Sequence, residues 1–490
     1  MTAPNAAAAG FRLPLIARGE VIDDCSVEVR DRSGRTFWTP SVAKYLPQVV
    51  TRDPGALVDL YSVSLDQIYD YLDELGRRLD LDRNEHWRQA FEVSCFASNL
   101  SRPVLEHAYR TIPAQLARGA VRELVESRIG AEYLEGWVPR RLLDGRTIRV
   151  RAMGARSLHI IAGNVPLTAT MTLVRSAVTR NDAIVKAPSN DPLTMAAIAR
   201  TMIDMAPHHP LTKHLVVAYW KGGDASVEEK LYHPAHIEKL VAWGGFASIR
   251  HASKYLQPGI DLITLDPKSS TTLIGQDAFE SDATLRQVAR RAAADLGGYD
   301  QEACVNARVI FLESGTDAAG LSKANQFGKY LYQELLELPK TISNGPNTFD
   351  AALRSEIQSI LTLADFYRVF ADPQRIEAGA VIVSQLCEPV DFANLLYGRV
   401  GNVVPLDRIE DALRWFSTAT QTVGVYPDRL REELRDRVAL AGGQMLVPLG
   451  YAITSSPAAP QDGIEPERRM CRWVVDNDCD PAIVRGPWMH

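Results

Sequence analysis

Three features are scarce in this sequence of 490 residues: paired cysteines, long apolar runs and an excess of positive charge. The six cysteines stand at positions 25, 95, 304, 387, 471 and 479 without a CxxC motif, which argues against a disulfide framework. No apolar run reaches the length of about 18 residues that a membrane span needs. A net charge of −6 with scattered basic residues argues against nucleic acid as the main partner.

Signals for export and for metal binding are missing as well. The first residues, MTAPNAAAAGFRLPL, have no basic segment before a sustained apolar core, so no secretory signal is predicted. The adjacent His208 and His209 cannot converge on one ion, and no metal site is predicted. These observations predict a cytoplasmic protein with reduced thiols. The length of the chain predicts two or three domains.

The pattern of the chain changes twice before residue 160. Residues 1–130 repeat apolar positions every three or four residues, as in LVDLYSVSLDQIYDYLDEL, which predicts helices. The stretch RRLLDGRTIRVRAMGARS then alternates basic and apolar residues around the turn signal DG. This alternation predicts a β arm at about 135–156.

From residue 158 short apolar strands alternate with helical segments, which predicts βαβ units and a buried parallel sheet. Four glycines follow predicted strands and precede predicted helices: Gly222, Gly223, Gly244 and Gly245. Backbone at such turns can approach a ligand phosphate closely. The GxGxxG motif is absent, so two ordinary strand-to-helix turns remain an alternative interpretation.

Cys304 lies in the stretch GGYDQEACVNARVIF, between a helix and a strand. The preceding segment DATLRQVARRAAADLGG has one apolar face, Asp282 is predicted to cap its start, and Gly297 is predicted to end it. A loop in this position suits a reactive group. Because cysteine is often simply buried, a packing role is the alternative.

Several segments, in this order, resemble the aldehyde dehydrogenase superfamily. AGNVP is similar to the family's P-W-N-x-P motif and makes Asn164 an oxyanion donor, and VKAPSNDPLT makes Lys186 the lysine of the cofactor ribose. The glycine pairs fall in the matching strand–glycine–helix segment, and YDQEAC is similar to the cysteine loop. AGNVP, LDPKSS, DQEAC and the tail DGIEPERRMCRWV look most like the LuxC-type acyl-CoA (fatty acid) reductases.

The departures from the superfamily pattern are informative. The segment that carries the glutamate for water activation reads ITLDPKSS here, with Leu265 and Asp266 near the expected place. The glutamate that binds the adenosine ribose is replaced by Ser189, and that for the other ribose by Leu395. An acyl-enzyme that meets no general base survives long enough to be reduced. Loss of the negative charge at Ser189 favours NADPH, with NADH as the alternative.

The resemblance implies a chemistry and a set of partners. Cys304 would act as the nucleophile toward an acyl thioester, while the Asn164 amide and the Cys304 N–H hold the oxyanion. The substrate would be an acyl-CoA or a carrier-bound acyl group. An acyl-activating or acyl-transfer protein is the implied partner, and the arm RTIRVRAMG implies a homo-oligomer, either a dimer or a tetramer.

The predicted fold is α/β and aldehyde dehydrogenase-like: a Rossmann-type cofactor domain over 1–275 with the β arm, an α/β catalytic domain over 276–450, and a tail over 451–490 for oligomer contact. Two other functions remain open. One is an aldehyde dehydrogenase that hydrolyses its acyl-enzyme with Asp266 as base; the other is a non-redox acyl carrier or scaffold. Gln301 and Glu302 are interpreted as polar loop residues, and His159 as a core histidine.

Overall fold

The computed structural model describes residues 10–30, 34–454, 456–480 and 482–489. The chain forms two compact units. The first unit contains the described residues up to Ser94, Tyr109–Leu265, and those from Pro457 onward. The second contains Cys95–Ala108 and the described residues of Asp266–Ser456.

The strands of the described residues are numbered in chain order. The first twelve are β1 (Phe11–Arg12), β2 (Leu15–Ala17), β3 (Glu20–Ile22), β4 (Val27–Arg30), β5 (Thr36–Thr39), β6 (Val138–Arg141), β7 (Thr147–Met153), β8 (Arg156–Ile160), β9 (Asp182–Lys186), β10 (Leu215–Ala218), β11 (Lys239–Trp243) and β12 (Asp261–Leu265). The others are β13 (Ser269–Ile274), β14 (Ala307–Leu312), β15 (Tyr367–Ala371), β16 (Ala380–Ser384), β17 (Val400–Pro405), β18 (Thr420–Tyr426), β19 (Met445–Pro448) and β20 (Arg472–Asp478).

The α-helices are numbered in the same way. The first eight are α1 (Val42–Val49), α2 (Leu65–Arg78), α3 (Glu85–Ala97), α4 (Arg102–Thr111), α5 (Arg118–Arg128), α6 (Ala131–Glu135), α7 (Leu167–Val178) and α8 (Thr194–Met205). The others are α9 (Pro210–Lys213), α10 (Ala225–Leu231), α11 (Phe246–Ser253), α12 (Asp282–Gly297), α13 (Ala318–Leu336), α14 (Ala351–Ile360), α15 (Asp428–Leu440) and α16 (Pro466–Met470).

The sheet of the first unit has the strand order β12-β11-β8-β9-β10-β2-β3. Strands β8 to β12 are parallel, and β2 pairs antiparallel with β10. Every residue of β8 and β10 is buried, as expected for parallel strands covered on both faces. The chain runs from β8 to β9 and β10 on one side, and then to β11 and β12 on the other. Such a reversal places a ligand crevice at the carboxyl ends of the strands.

A second, three-stranded sheet of the first unit has the order β20-β7-β6, with antiparallel pairing throughout. The DG turn closes the β6–β7 hairpin, where Leu142 N–H donates to the Arg146 carbonyl over 2.8 Å. Glu467, a buried residue of α16, forms ion pairs that connect the tail to the rest of this unit. Its carboxylate accepts from Arg175 over 2.7 Å and lies 3.5 Å from Nε of Arg128. The oligomer contact of the tail stays a prediction.

The sheet of the second unit has the order β15-β16-β17-β14-β13-β18-β19. All neighbours are parallel except β15, which pairs antiparallel with β16. Side chains of β14 alternate between two apolar clusters: Ile310 and Leu312 enter one cluster, and Phe311 the other. The amino end of β14 receives the chain directly from the Cys304 loop, so this strand fixes the place where the loop ends.

The structure corrects two local expectations. Residues 11–39 form five short strands instead of helices. Helix α12 is capped by Ser281 and not by Asp282, because the Ser281 hydroxyl accepts the Thr284 N–H over 3.0 Å and Asp282 is the first helical residue. The predicted end of α12 at Gly297 is confirmed. None of the helices in the described part of the chain combines the length and hydrophobicity that a membrane crossing requires.

Candidate active site

The structure places the predicted residues of the first unit at one edge of its sheet. Asn164 lies four residues beyond the end of β8, and Lys186 is the last residue of β9. The glycine pairs 222–223 and 244–245 follow β10 and β11. Because these strands are parallel neighbours, their carboxyl ends lie at the same edge. The first unit therefore gathers all the residues predicted to bind the cofactor, and Cys304 belongs to the second unit.

Lys186 is enclosed by aromatic rings. Its Nζ lies 5.5 Å from the ring centre of Tyr219 and 5.4 Å from that of Trp220, within the range of cation–π attraction. Burial lowers the pKa of Lys186 to about 8, while the negative charge of Glu228 acts in the opposite direction. An ammonium in this setting is desolvated and placed to bind an anionic or hydroxyl-rich ligand.

The segment that carries Asn164 packs on the loop that carries Ser189. The Thr168 hydroxyl at the start of α7 donates to the Ala162 carbonyl over 2.6 Å and thereby fixes the turn. A Cβ on Gly163 would lie 2.3 Å from Oδ1 of Asn190 and 2.8 Å from Cγ of Pro188. A side chain at position 163 would force Asn190 or Pro188 to shift, so glycine allows the two loops to pack this closely.

The glycine turns at the same edge leave open space. A Cβ built on Gly222, Gly223 or Gly245 would meet no atom within 4 Å. Gly223 adopts φ +91°, the left-handed region that glycine tolerates best. Close packing within the protein therefore does not require glycine at these three positions. Glycine would, however, allow a ligand to approach the backbone closely.

The Cys304 loop of the second unit begins with three consecutive residues in the left-handed region. The φ angles of Tyr299, Asp300 and Gln301 are 50°, 51° and 65°. None of the three is glycine, and each such residue stores about 1–3 kcal/mol of backbone strain. Strain of this size persists only where the surroundings hold the loop in place.

Asp300 supplies the first set of restraints. Its side chain is fully buried, and its carboxylate accepts four hydrogen bonds. Ser101 donates through its N–H over 2.9 Å and its hydroxyl over 2.7 Å. The N–H groups of Asn344 and Gly345 donate over 2.6 and 2.8 Å. The carboxylate thus joins three separate segments of the second unit.

Gln301 supplies the second set of hydrogen bonds that hold the Cys304 loop. Its buried amide donates to the Ala307 and Val400 carbonyls, in each case over 2.9 Å, and accepts the Val400 N–H over 2.7 Å. These contacts fasten the loop to β14 and β17. The interpretation of Gln301 as a polar loop residue misses this role, which is structural and fixes the residues next to the cysteine.

Cys304 is half-buried and held through its own backbone. The Ser270 hydroxyl donates to the Cys304 carbonyl over 2.7 Å and accepts the Thr422 N–H over 3.1 Å. One residue earlier, the Ala303 N–H donates to Oδ1 of Asn306 over 3.1 Å. These contacts hold the backbone of the cysteine between β13 and the amino end of β14.

Two charged residues flank the cysteine. Burial raises the pKa of Glu302, whose carboxylate accepts from the Asn99 amide over 2.5 Å. Burial lowers the pKa of the Arg308 guanidinium, and the negative charges of Cys304 and Glu302 oppose this effect. Arg308 and Cys304 are therefore close enough for their charges to interact. Its Nη1 also donates to the Asn394 carbonyl over 3.0 Å.

A cavity of about 480 Å³ opens beside this loop in the second unit. Ser270, Arg308 and Thr420 line it at the amino ends of β13, β14 and β18. Trp415 and Phe416 contribute aromatic side chains to the lining. About half of the lining is polar, and it includes the charged side chains of Glu388 and Asp391 besides Arg308. Ser270, which lines the cavity, is also the residue whose hydroxyl donates to the Cys304 carbonyl.

Comparison with known proteins decides the family. The model of the LuxC acyl-CoA reductase family matches residues 60–473. A long-chain acyl-protein thioester reductase of Photorhabdus luminescens is 30% identical over 365 residues, which is 73% of this chain and 70% of that protein. A protein of the same name from Vibrio harveyi is 25% identical over 94% of this chain and 92% of its own length. The chain belongs to the LuxC acyl-CoA reductase family.

Solved structures show which fold this LuxC-family protein has. An NADP-dependent glyceraldehyde-3-phosphate dehydrogenase from Bacillus halodurans superposes with a TM-score of 0.70 at 13% identity, over 95% of this chain and 99% of that one. An indole-3-acetaldehyde dehydrogenase from P. syringae gives 0.72 at 14% identity, over 95% and 96%. The predicted aldehyde dehydrogenase fold is confirmed. So is the predicted class: an oxidoreductase that reduces acyl thioesters to aldehydes.

The residues at the positions where the resemblance expects the superfamily's carboxylates differ in their exposure. Leu265 is buried at the end of β12, whereas Asp266 is exposed. Leu395 is exposed. His159 is a buried core histidine, as predicted: its Nε2 lies 2.9 Å from the Ser157 hydroxyl, and burial lowers its pKa to about 3, assisted by Arg175. A base role for His159 finds no support in this setting.

Replacement of Gly163 by alanine tests the packing of the two loops in the first unit. The new Cβ must displace Asn190 or Pro188, and we expect a loss of about 1–3 kcal/mol of stability together with weaker cofactor binding. Thermal unfolding and calorimetric titration with NADPH measure both effects. Gly119→Ala in α5 is the matched control, because its Cβ would meet no atom within 4 Å. Unchanged unfolding of Gly163→Ala contradicts the close approach.

Proposed function

We propose that this LuxC-family protein transfers the acyl group of an acyl-CoA, or of a carrier-bound thioester, to Cys304 and reduces it to the aldehyde with NADPH. The observation that carries the assignment to Cys304 is the rigid loop of the second unit. Its strained backbone, the four hydrogen bonds to Asp300 and the cavity that Ser270 lines support this assignment of the half-buried thiol.

The residues at the sheet edge of the first unit suit a nicotinamide dinucleotide. Lys186 offers an ammonium to ribose hydroxyls or to a 2′-phosphate, and the turn at Gly222 and Gly223 leaves room for a phosphate. Ser189 in place of a carboxylate removes the charge that repels a 2′-phosphate, so NADPH is preferred over NADH in this proposal. When bound, the reduced nicotinamide supplies the hydride that converts the thioacyl group to a thiohemiacetal.

The chain's own groups account for the other steps. The Cys304 thiolate, stabilised by Arg308, attacks the thioester carbonyl, and the carbon–sulfur bond to the leaving thiol breaks. The Cys304 N–H is proposed to donate to the oxyanion. Asn164 keeps its role as the second donor as a proposal from the resemblance. After reduction, the oxyanion re-forms the carbonyl and expels Cys304 as thiolate, which releases the aldehyde.

The substrate is proposed to be a long acyl chain. The relatives are named long-chain acyl-protein thioester reductases, and aromatic side chains, Trp415 and Phe416, line the cavity beside Cys304. An acyl-transfer protein as the donor is part of the same proposal. Self-association through the β6–β7–β20 sheet, where Val475 is exposed, and a cytoplasmic location are proposed with it.

Consumption of NADPH with a panel of acyl thioesters tests the function. We expect aldehyde and free thiol to form in equal amounts with the NADPH consumed, and turnover to rise with chain length as more apolar surface is buried. The panel contains acyl-CoAs of increasing length and the same acyl groups on a carrier protein. Aldehyde is quantified by mass spectrometry, and free thiol with a chromogenic disulfide.

The opposite result has a distinct signature. Oxidation of free aldehydes to acids without CoA, combined with no turnover of any thioester, would overturn the proposal and favour a hydrolytic dehydrogenase. Acyl transfer to the protein without any nucleotide oxidation would favour the acyl carrier. NADH in place of NADPH is the control that measures nucleotide preference.

A further inference from the structure

A buried carboxylate contacts the turn that carries Gly223, one of the proposed cofactor residues of the first unit. Glu228 lies in the first turn of α10 and is 1% exposed. Its Oε1 accepts from the Trp220 indole over 3.2 Å. Its Oε2 accepts from Gly223 N–H over 3.1 Å, from the His251 ring over 2.7 Å and from the Tyr255 hydroxyl over 3.0 Å.

The Glu228 carboxylate accepts four hydrogen bonds, and none of the donors belongs to its own helix α10. A buried carboxylate is costly unless it is fully hydrogen-bonded, and here the donors come from two separate segments. Trp220 and Gly223 belong to the turn after β10, while His251 lies in α11 and Tyr255 just beyond it. Glu228 therefore fixes the turn at 222–223 and joins it to the helix that follows the second glycine pair.

The same carboxylate acts on Lys186. The indole of Trp220 donates to Glu228, and the centre of this ring lies 5.4 Å from Nζ of Lys186. The charge of Glu228 opposes the lowering of the Lys186 pKa by burial. Without Glu228, the ammonium would be paired mainly with neutral aromatic rings and would lose its proton more readily.

We infer that Glu228 is a positioning residue of the cofactor site, which keeps the Lys186 ammonium charged and holds the turn at Gly223 in the shape that receives the ribose and phosphate of NADPH. The inference rests on the proposed function. Glu228 touches no reacting atom in this scheme, and its effect on the cofactor passes through Lys186 and Gly223. Ser189 carries no charge, whereas Glu228 supplies a negative charge that acts on the Lys186 ammonium.

The charged and titratable groups around this cluster are few. Lys186 faces Tyr219, Trp220 and the Glu228 carboxylate. The carboxylate faces His251 and Tyr255, and the charge of Glu229 also reaches the Tyr255 hydroxyl. A change near pH 8 in the pH dependence of cofactor binding after loss of Glu228 would therefore report on Lys186.

The experiment measures the dissociation constant of NADPH by calorimetry from pH 6 to 9 for wild type, Glu228→Gln and Glu229→Gln. Wild-type affinity should fall as the pH rises through about 8, where Lys186 loses its proton. In Glu228→Gln the midpoint should move down by roughly one pH unit, and affinity at pH 8 should fall roughly tenfold. The exposed neighbour Glu229 undergoes the same change of charge, and its variant should bind as wild type does.

A merely structural role predicts a different result. A loss of affinity that is equal at every pH, with an unmoved midpoint, would overturn the inference, and so would unchanged binding. If Glu228→Gln does not fold, Glu228→Asp keeps the charge on a shorter arm: its midpoint should stay near that of wild type while its affinity falls, and wild-type affinity at every pH would overturn the inference. If wild type binds neither NADPH nor NADH, the proposed function itself fails, and this outcome is distinguishable from the others.

Discussion

Replacement of Cys304 by serine is expected to abolish thioester reduction, with a fall in kcat/KM of roughly 10⁴-fold or more. A serine hydroxyl at neutral pH is a far weaker nucleophile than a thiolate. In the proposed mechanism the Arg308 charge stabilises the thiolate, and a positive charge does not act as a base toward a hydroxyl. The thioacyl adduct should disappear together with aldehyde formation.

Mass spectrometry of the protein after a single exposure to acyl-CoA measures the adduct, and NADPH consumption measures turnover. Cys387→Ser is the matched control, because Cys387 is an exposed free thiol of the same unit. Its variant should keep both the adduct and the rate. Two other cysteines are poor nucleophiles because burial raises their pKa, to about 11 for Cys25 and about 12 for Cys471. An acyl adduct of Cys304→Ser at wild-type yield would contradict the assignment.

Local patterns in the sequence were sufficient for the edge of the first sheet. Strand, turn and helix alternate there within short distances, so the glycine pairs and Lys186 could be placed after strands without knowledge of the tertiary structure. The position of the Cys304 loop could be predicted in the same way, because a capped helix precedes it and an apolar strand follows it. Elements of this kind depend on neighbours in the chain, and a sequence displays those neighbours directly.

Features built from distant parts of the chain were not predictable in the same way. β2 has three residues and pairs with β10, with Ala17 opposite Val216, so its extended conformation depends on a partner far along the chain. Gln301 and Glu228 look like ordinary polar residues in the sequence. Their importance comes from donors and acceptors that only the folded unit brings to them, such as Val400 for Gln301.

Asp300 is the clearest case of this kind. The letters YDQEA give no reason to rank it above its neighbours, because its partner Ser101 lies 199 residues away and Asn344 lies 44 residues away. The signal that could have drawn attention to it is its position, four residues before the cysteine, in a loop already expected to be functional. Even so, the strained backbone that it holds cannot be read from residue types alone.

Replacement of Asp300 by alanine is expected to destabilise the second unit by about 3–5 kcal/mol, because four hydrogen-bond donors lose their buried acceptor at once. The strain of the left-handed residues at 299–301 is then no longer opposed, and the Cys304 loop should relax. We expect faster amide hydrogen exchange at 298–306 and 343–345, and a large loss of acyl transfer to Cys304.

Two variants separate the carboxylate from the general effect of losing a charge. Asp300→Asn keeps one oxygen acceptor and should be destabilised less than Asp300→Ala, whereas the exposed Asp365→Ala should unfold and exchange as wild type does. Because a chain of two units need not unfold in one step, exchange in the named segments is a more direct measure than a single Tm. Wild-type exchange at 298–306 in Asp300→Ala would show that Gln301 and Ser270 suffice to hold the loop. The strain at Tyr299 and Asp300 would then be balanced by the contacts with β13, β14 and β17, and the shape of the Cys304 loop would depend on the sheet instead of on the buried carboxylate.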